Sequence, residues 1–337
     1  MAEFWAGVLA LSLLLYVLLD GFDLGVGMLL ALAPHERTKE QMIGAISPVW
    51  DGNETWLVIS AAILFGAFPV VYALLLSAFY LPLLVMLGAV ILRGVAFEFR
   101  VRATHTRWLW DAGFIGGSYA ATFVQGMAVG ALVQVLPVRD GRYLGGPFEW
   151  FSLFAVLCGF GLCLGYALLG SAWLVYKTTG DGRDLGYRLL PRLLVAVLVF
   201  LIVAFAYSLV LHLQVLDRWV DRPFLWAFPV VGLAACVGLL VSTGRRIDRL
   251  PFAMAAVLFA AAFATMAFSF LPYMVPFSIT IAEAAAPPTS LSFLFWGAGM
   301  VILPITLLYT MTVYFVFRGK TVVSVEYLAP SKAGMDK

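Results

Sequence analysis

The run Leu18-Leu19-Asp20-Gly21-Phe22-Asp23-Leu24-Gly25-Val26-Gly27-Met28-Leu29 sets two carboxylates inside a segment that is otherwise apolar from about Phe4 to Ala33. An apolar stretch of that length reads as a helix in the lipid phase. It also exceeds the h-region of a cleaved signal, which runs to about 7–15 residues. Charges in hydrocarbon are costly, so these acids ask for an explanation. A second polar stretch, Pro48-Val49-Trp50-Asp51-Gly52-Asn53-Glu54-Thr55-Trp56, adds two more carboxylates at the mouth of the next apolar run.

Working outward, the chain is 63% hydrophobic and 12% charged, with a mean hydropathy of +0.99. Soluble domains carry roughly 25% charged residues, so the composition indicates a polytopic membrane protein. No basic block points to nucleic acid. Cys158, Cys163 and Cys236 lie in apolar runs without a CxxC spacing, which indicates neither a disulfide framework nor a zinc site. His35, His105 and His212 are the only histidines. The first two fall in loops and His212 is expected at the outer end of the sixth span. Any haem is therefore expected on another chain.

Hydropathy predicts an all-α fold of nine transmembrane helices in one integral membrane domain over 1–337. The helices lie near 4–33, 49–66, 69–97, 111–136, 149–176, 188–212, 224–243, 251–273 and 291–317. Gly66-Ala67-Phe68-Pro69 makes a tight hairpin between the second and third, with Pro69 starting a helix where its missing N–H costs least. His35–Ile46 is a short polar connector lying at the interface. The loop Ser278–Ser290 belongs outside. With nine spans, all but four of the 21 Lys and Arg residues, Lys332 and Lys337 of the tail included, fall on one side. The exceptions are Arg139, Arg142, Arg218 and Arg222. The positive-inside rule then places the C-terminus in the cytoplasm and the N-terminus outside. Asp51 and Glu54 accordingly open the second span from the cytoplasmic side.

Asp20 and Asp23 are spaced i, i+3 and project from nearly one helix face. Gly21, Gly25 and Gly27 let another backbone approach beside them. Two acids so close in low dielectric do not both ionise without a cation. They suit a proton path or an interhelical hydrogen-bond network, and spacing alone leaves both open. In the second stretch Asp51 and Glu54 are again i, i+3. A structural reading makes Asp51 a helix cap and Trp50 and Trp56 interfacial aromatics; it leaves Asn53, Glu54 and Thr55 unexplained. The third cluster, Arg93, Glu98, Arg100, Arg102, His105, Arg107 and Asp111, is mostly a solvated cytoplasmic loop, a reading that applies to Arg102, His105 and Arg107. Arg93 lies deeper and is the natural counter-ion for an embedded acid. Glu98 is a plausible cytoplasmic intake for a proton.

Four runs, LLDGFDLGVGML, SPVWDGNETWL, ILRGVAFEFR and WDAGFIGGS, together resemble subunit II of the cytochrome bd quinol oxidases. The likeness is ordered and collinear through the first four spans, and rests on hydropathy and length beyond them. The short external loops look more like the cyanide-insensitive branch. The resemblance implies a haem-free subunit of a terminal oxidase in a bacterial inner membrane. That complex oxidises quinol and reduces dioxygen to water in the respiratory chain. It also implies a partner subunit I carrying haem b and haem d, with room for a small accessory subunit and contact with membrane lipid. By position, Asp51 matches the acid of a cytoplasmic proton path and Glu98 an acid nearer its mouth. Asp20 and Asp23 match the first-span acids, and Arg93 the Arg of the third span. Trp50 matches a contact to a structural quinone in some members. Glu54 stands where other members have Gln. The rival reading of another class is a proton-coupled secondary transporter, which should show repeats and interrupted helices around a midplane site. A purely structural subunit, its acids serving helix packing, is a third.

Overall fold

A computed structural model describes residues 1–139, 141–211 and 215–321. His212, Lys332 and Lys337 lie outside the described residues. The helices are α1 (Ala2–Leu29), α2 (Glu36–Ile46), α3 (Trp50–Ala67), α4 (Pro69–Arg102), α5 (Arg107–Val133), α6 (Leu153–Lys177), α7 (Gly180–Val210), α8 (Val215–Asp221), α9 (Ala227–Gly244), α10 (Leu250–Phe270), α11 (Ile281–Ala284), α12 (Pro288–Leu294) and α13 (Ile302–Val316). Two antiparallel ribbons sit in connections: β1 (Val138–Arg139) with β2 (Arg142–Tyr143), and β3 (Tyr273–Val275) with β4 (Ile279–Thr280). Among the described residues, seven helical segments are long and apolar enough to cross a membrane: Ala2–Leu32, Pro69–Arg102, Leu153–Lys177, Gly180–Val210, Pro223–Gly244, Leu250–Phe270 and Pro288–Val316. The protein is thus a multi-pass, helical membrane protein. Helices α3 and α5 occupy the other two predicted positions; Asp51, Asn53 and Glu54 open α3, and Gly, Ser, Tyr and Gln residues run through α5, which lowers their apolar character.

The helices pack as two closed rings. In the first, α1 packs on α3, α3 on α4, α4 on α5, and α5 back on α1; in the second, α6, α7, α9 and α10 close in the same way. The rings meet where α1 lies against α6 and α10, and α5 against α6. Glycine makes that seam possible. A Cβ on Gly170 would stand 2.5 Å from the carbonyl carbon of Gly25, and one on Gly25 would stand 2.9 Å from the Gly170 nitrogen. Only a pair of glycines lets the two backbones approach so closely.

Local breaks have local causes. Phe68 is non-helical (φ −136°, ψ 58°) and Pro69 opens α4, as the hairpin predicts. Pro82 inside α4 cannot bond the turn before it, and Phe79 leaves helical geometry there (φ −115°, ψ 20°). The last span is not continuous. Phe295–Gly299 is a π-helical turn and Val301 is displaced (φ −110°, ψ −57°) before α13 begins. Pro304 removes the N–H that would have bonded the carbonyl four residues earlier. The polar connector His35–Ile46 is itself a helix, α2, with Met42, Ala45 and Ile46 buried against the bundle.

Candidate functional site

Ring one holds charge at its centre. Asp20 (1% exposed), Asp23 (0%), Asn53 (1%) and Arg93 (1%) are buried together, drawn from α1, α3 and α4. The i, i+3 spacing turns both aspartates inward, and Asn53 and Glu54 reach them from the first turns of α3. The Arg93 Nη1 lies 3.4 Å from Asp20 Oδ1 and 3.7 Å from Glu54 Oε2. The Asn53 amide donates to Asp23 Oδ2 at 2.7 Å and to the Leu19 carbonyl at 3.3 Å. Its carbonyl accepts a 2.9 Å bond from the Tyr314 hydroxyl of α13. Two carboxylates therefore share one guanidinium, and a third, Asp23, is buried against Asn53. Among the described residues, Asp20 Oδ2, Asp23 Oδ1, Arg93 Nε and Arg93 Nη2 are buried without a partner. Such atoms are costly to leave unmade, and they mark a cluster with unused hydrogen-bonding capacity.

The cluster extends along α1. Tyr16 stands one turn before Asp20 on the same helix. Its hydroxyl accepts from Gln125 Nε2 at 2.7 Å, and Tyr166 donates to Gln125 Oε1 at 3.4 Å. Aromatic rings wall the arginine: its guanidinium carbon lies 5.9 Å from the Trp50 ring and 5.8 Å from Phe114. Trp50 also meets Phe97 at 5.0 Å.

The predicted site residues divide accordingly. Asp20, Asp23, Glu54, Arg93 and Trp50 come together; Asp51 and Glu98 are exposed on α3 and α4, outside the cluster. Asp51 is not the helix cap, because Val49 holds that position without a side-chain bond. Trp56 is buried rather than interfacial, at 1% exposure. Asn53 was visible in the polar stretch and Tyr16 stands four residues before Asp20 on α1, while Gln125, Tyr166 and Tyr314 carry no distinguishing spacing. Pairing across 261 residues, as between Asn53 and Tyr314, leaves no trace in local pattern.

The solvated-loop reading holds for Arg102 and His105, which are exposed, whereas Arg107 is half-buried and pairs with Glu40 at 3.4 Å; Arg100 and Asp111 beside them are buried. Arg100 Nε bonds Asp111 Oδ1 and its Nη2 reaches Glu36 Oε2 at 3.0 Å. Lys39 Nζ lies 2.8 Å from both Asp111 and Glu36. Burial disfavours the Lys39 ammonium, but the hydrogen bonds it donates to Asp111 and Glu36 leave its pKa raised. This network ties α2 to α4 and α5. Among the described residues no group of three or more His, Cys, Asp or Glu is arranged to hold a metal ion.

Residues 1–317 match the family model described as cytochrome bd terminal oxidase subunit II. The chain is 30% identical over 363 residues to the cytochrome bd-I ubiquinol oxidase subunit 2 of Escherichia coli K12, covering 94% of each. It is 31% identical over 347 residues to a probable cytochrome oxidase subunit 2 of Haemophilus influenzae, covering 93% of this chain and 89% of that one. In fold it matches a chain of the bd oxidase structure from Geobacillus thermodenitrificans with a TM-score of 0.75 and 16% identity, over 94% of this chain and 98% of that one.

Proposed function

The chain belongs to the subunit II family of cytochrome bd terminal oxidases and so forms part of a quinol oxidase complex, and from that premise we propose that it is the haem-free subunit that feeds protons to oxygen reduction. The observation that carries this reading is the cluster of Asp20 and Glu54 sharing Arg93, with Asp23 buried against Asn53 as a third acid. A single guanidinium cannot neutralise three acids, so the cluster holds exchangeable protons. In the proposed route, exposed Glu98 and Asp51 collect protons at the Arg-rich, cytoplasmic end. Asp51 stands one turn before Glu54, which hands on to Asp20 and Asp23. Asn53 and Arg93 hold the acids in place.

The same reading makes α3 and α5 membrane spans, giving nine, with the N-terminus outside and the chain in a bacterial inner membrane. Haem b and haem d then belong to subunit I, where quinol is oxidised and dioxygen reduced to water. Its docking face is formed by α3, α4 and α13. Helix α13 has no buried residue, and Val58, Leu84, Ile91, Leu308 and Met311 are exposed by half or more. Such a face is explained by a partner or by lipid. Trp50, half-buried at the edge of the cluster, would supply the contact to a structural quinone. The two rings are a repeat in architecture, which a transporter also has, but the family match favours the oxidase.

The test is purification of the assembled complex followed by oxygen-uptake kinetics. Co-isolation with a subunit bearing haem d is expected. Asp51→Asn, with assembly and haem content intact, should slow oxygen reduction. Turnover unchanged over the full pH range would remove Asp51 from the route and leave the acids as packing groups.

A further inference from the structure

Arg188 and Arg192 stand one turn apart on α7, both exposed. Neither has a hydrogen bond or ion pair among the described residues, whereas Arg93, Arg100, Arg107, Arg183 and Arg246 each have a carboxylate. Like charges at i, i+4 repel each other along a helix, so the pair is unfavourable as it stands. The nearest acid on that stripe, Asp184, is engaged by Arg246 at 3.4 Å. Arg102, Arg245 and Arg249 also lack partners among the described residues, but they stand at helix ends or in a loop, where water reaches them from all sides.

Depth and the rest of the stripe identify what is missing. The stretch 193–210 rises about 27 Å at about 1.5 Å per residue, close to the ~30 Å hydrocarbon core. Arg192 therefore sits at the edge of the hydrocarbon, and Arg188 a turn further into the headgroup layer. Beyond Arg192 the same face continues as Val195 (58% exposed), Val199 (54%) and Ile202 (69%), an uninterrupted apolar track into the bilayer. Two guanidiniums at headgroup depth above an apolar track match one molecule, a phosphate ester with acyl chains.

We propose that Arg188 and Arg192 bind the phosphate of an anionic phospholipid whose acyl chain lies along Val195, Val199 and Ile202. Each guanidinium donates to phosphate oxygens, and the shared anion converts a repulsive pair into a bridged one. The site lies on ring two, away from the acid cluster, and does not depend on the proton route.

Native mass spectrometry of the whole complex, reconstituted in nanodiscs of phosphatidylglycerol and phosphatidylcholine and released into mild detergent, tests it. The wild type should retain phosphatidylglycerol over phosphatidylcholine. The double variant Arg188→Gln/Arg192→Gln should lose that retention by at least about tenfold, a modest loss for two charge-assisted contacts. Arg245→Gln/Arg249→Gln should keep it. Monodisperse recovery of the variant complex shows that the change is not misfolding. Retention unchanged in the double variant overturns the proposal. So does displacement of the lipid by inorganic phosphate alone, which would make the pair a simple anion site. Loss of another protein subunit with lipid retained would overturn it too, assigning the face to a protein.

Discussion

Ring one, made of α1, α3, α4 and α5, and ring two, made of α6, α7, α9 and α10, close in the same order but differ in where they carry polar and apolar groups. Ring one encloses Asp20, Asp23, Asn53 and Arg93. Beside ring two lies an apolar cavity of about 390 Å³, lined by Gly161, Gly165, Phe200 and Phe259 among others. At its Arg-rich end each ring carries a lock of ion pairs: Arg100, Asp111, Lys39 and Glu36 on ring one, Arg183, Asp248 and Lys320 on ring two. The locks are satisfied and the cluster is not. Arg93 and Arg100 lie two turns apart on one helix, yet Arg100 is filled by close partners while Arg93 keeps two buried nitrogens unbonded. A filled ion pair fixes a helix. An underfilled one can exchange a proton without first breaking a saturated network.

The comparison is broken most directly at Arg93. Arg93→Met should leave Asp20 and Glu54 without their cation, at a cost of about 3–5 kcal/mol for removing one partner of a buried pair. Thermal unfolding of the purified complex should shift down by several degrees, and oxygen uptake per assembled complex should collapse. Wild-type turnover in a folded Arg93→Met complex would mean that the acids need no shared cation. The next largest effect belongs to the seam. Gly170→Ala places a methyl carbon 2.5 Å from the Gly25 backbone; neither main chain can yield cheaply, and overpacking of this kind costs about 1–3 kcal/mol. The measurement is again the unfolding midpoint, with Gly7→Ala, where a Cβ meets nothing within 4 Å, as the near-neutral reference.

How much of this could be read in the sequence depends on which kind of information a feature needs. Every predicted span has a helix at its position, because apolar length is local and bilayer thickness sets it. The acids at 20, 23, 51 and 54 and the arginine at 93 were conspicuous because charge is expensive in that setting. Which acid meets which cation depends on helix rotation and on neighbours far along the chain. Hydropathy specifies neither: it suggested a counter-ion role for Arg93 but not the sharing between Asp20 and Glu54. The burial of Arg100 and Asp111 was not legible because nothing local showed that α2 pairs with them. The two rings left no sequence repeat because their lining differs so completely. The break before α13 was legible in principle, since Pro304 lies in the middle of the apolar run 291–317.

Asp111→Asn separates a lock from the cluster. Arg100 keeps Glu36, a partner with an exposed side chain, so the lock weakens by about 1–3 kcal/mol. Oxygen uptake per assembled complex should stay near wild type while the unfolding midpoint falls. A loss of turnover comparable to that of Arg93→Met would erase the distinction between the two arginines on α4.

The smallest effect is a pH dependence at the ring-two lock. Burial alone would raise the Asp248 carboxyl, but hydrogen bonds from Lys320, Tyr187 and Arg183 hold it below the ordinary 3.8. Lys320 Nζ lies 2.5 Å from Asp248 Oδ2, the Tyr187 hydroxyl 2.7 Å from Oδ1 and Arg183 Nε 2.9 Å from Oδ1. A carboxyl depressed in the folded state contributes stability above its unfolded pKa, and that contribution disappears as pH falls through the folded value. The contribution of Asp248 is therefore present from about pH 4 upward and fades below it. Asp248→Asn should lower the unfolding midpoint slightly at neutral pH, with the gap to wild type narrowing as pH drops below about 4. Because Lys320 also reaches the Thr178 carbonyl at 3.0 Å, the segment after α13 keeps a second tie to α6, and the loss should stay near 1 kcal/mol or less. A gap that does not change with pH would show that Asp248 acts through packing and not through its charge.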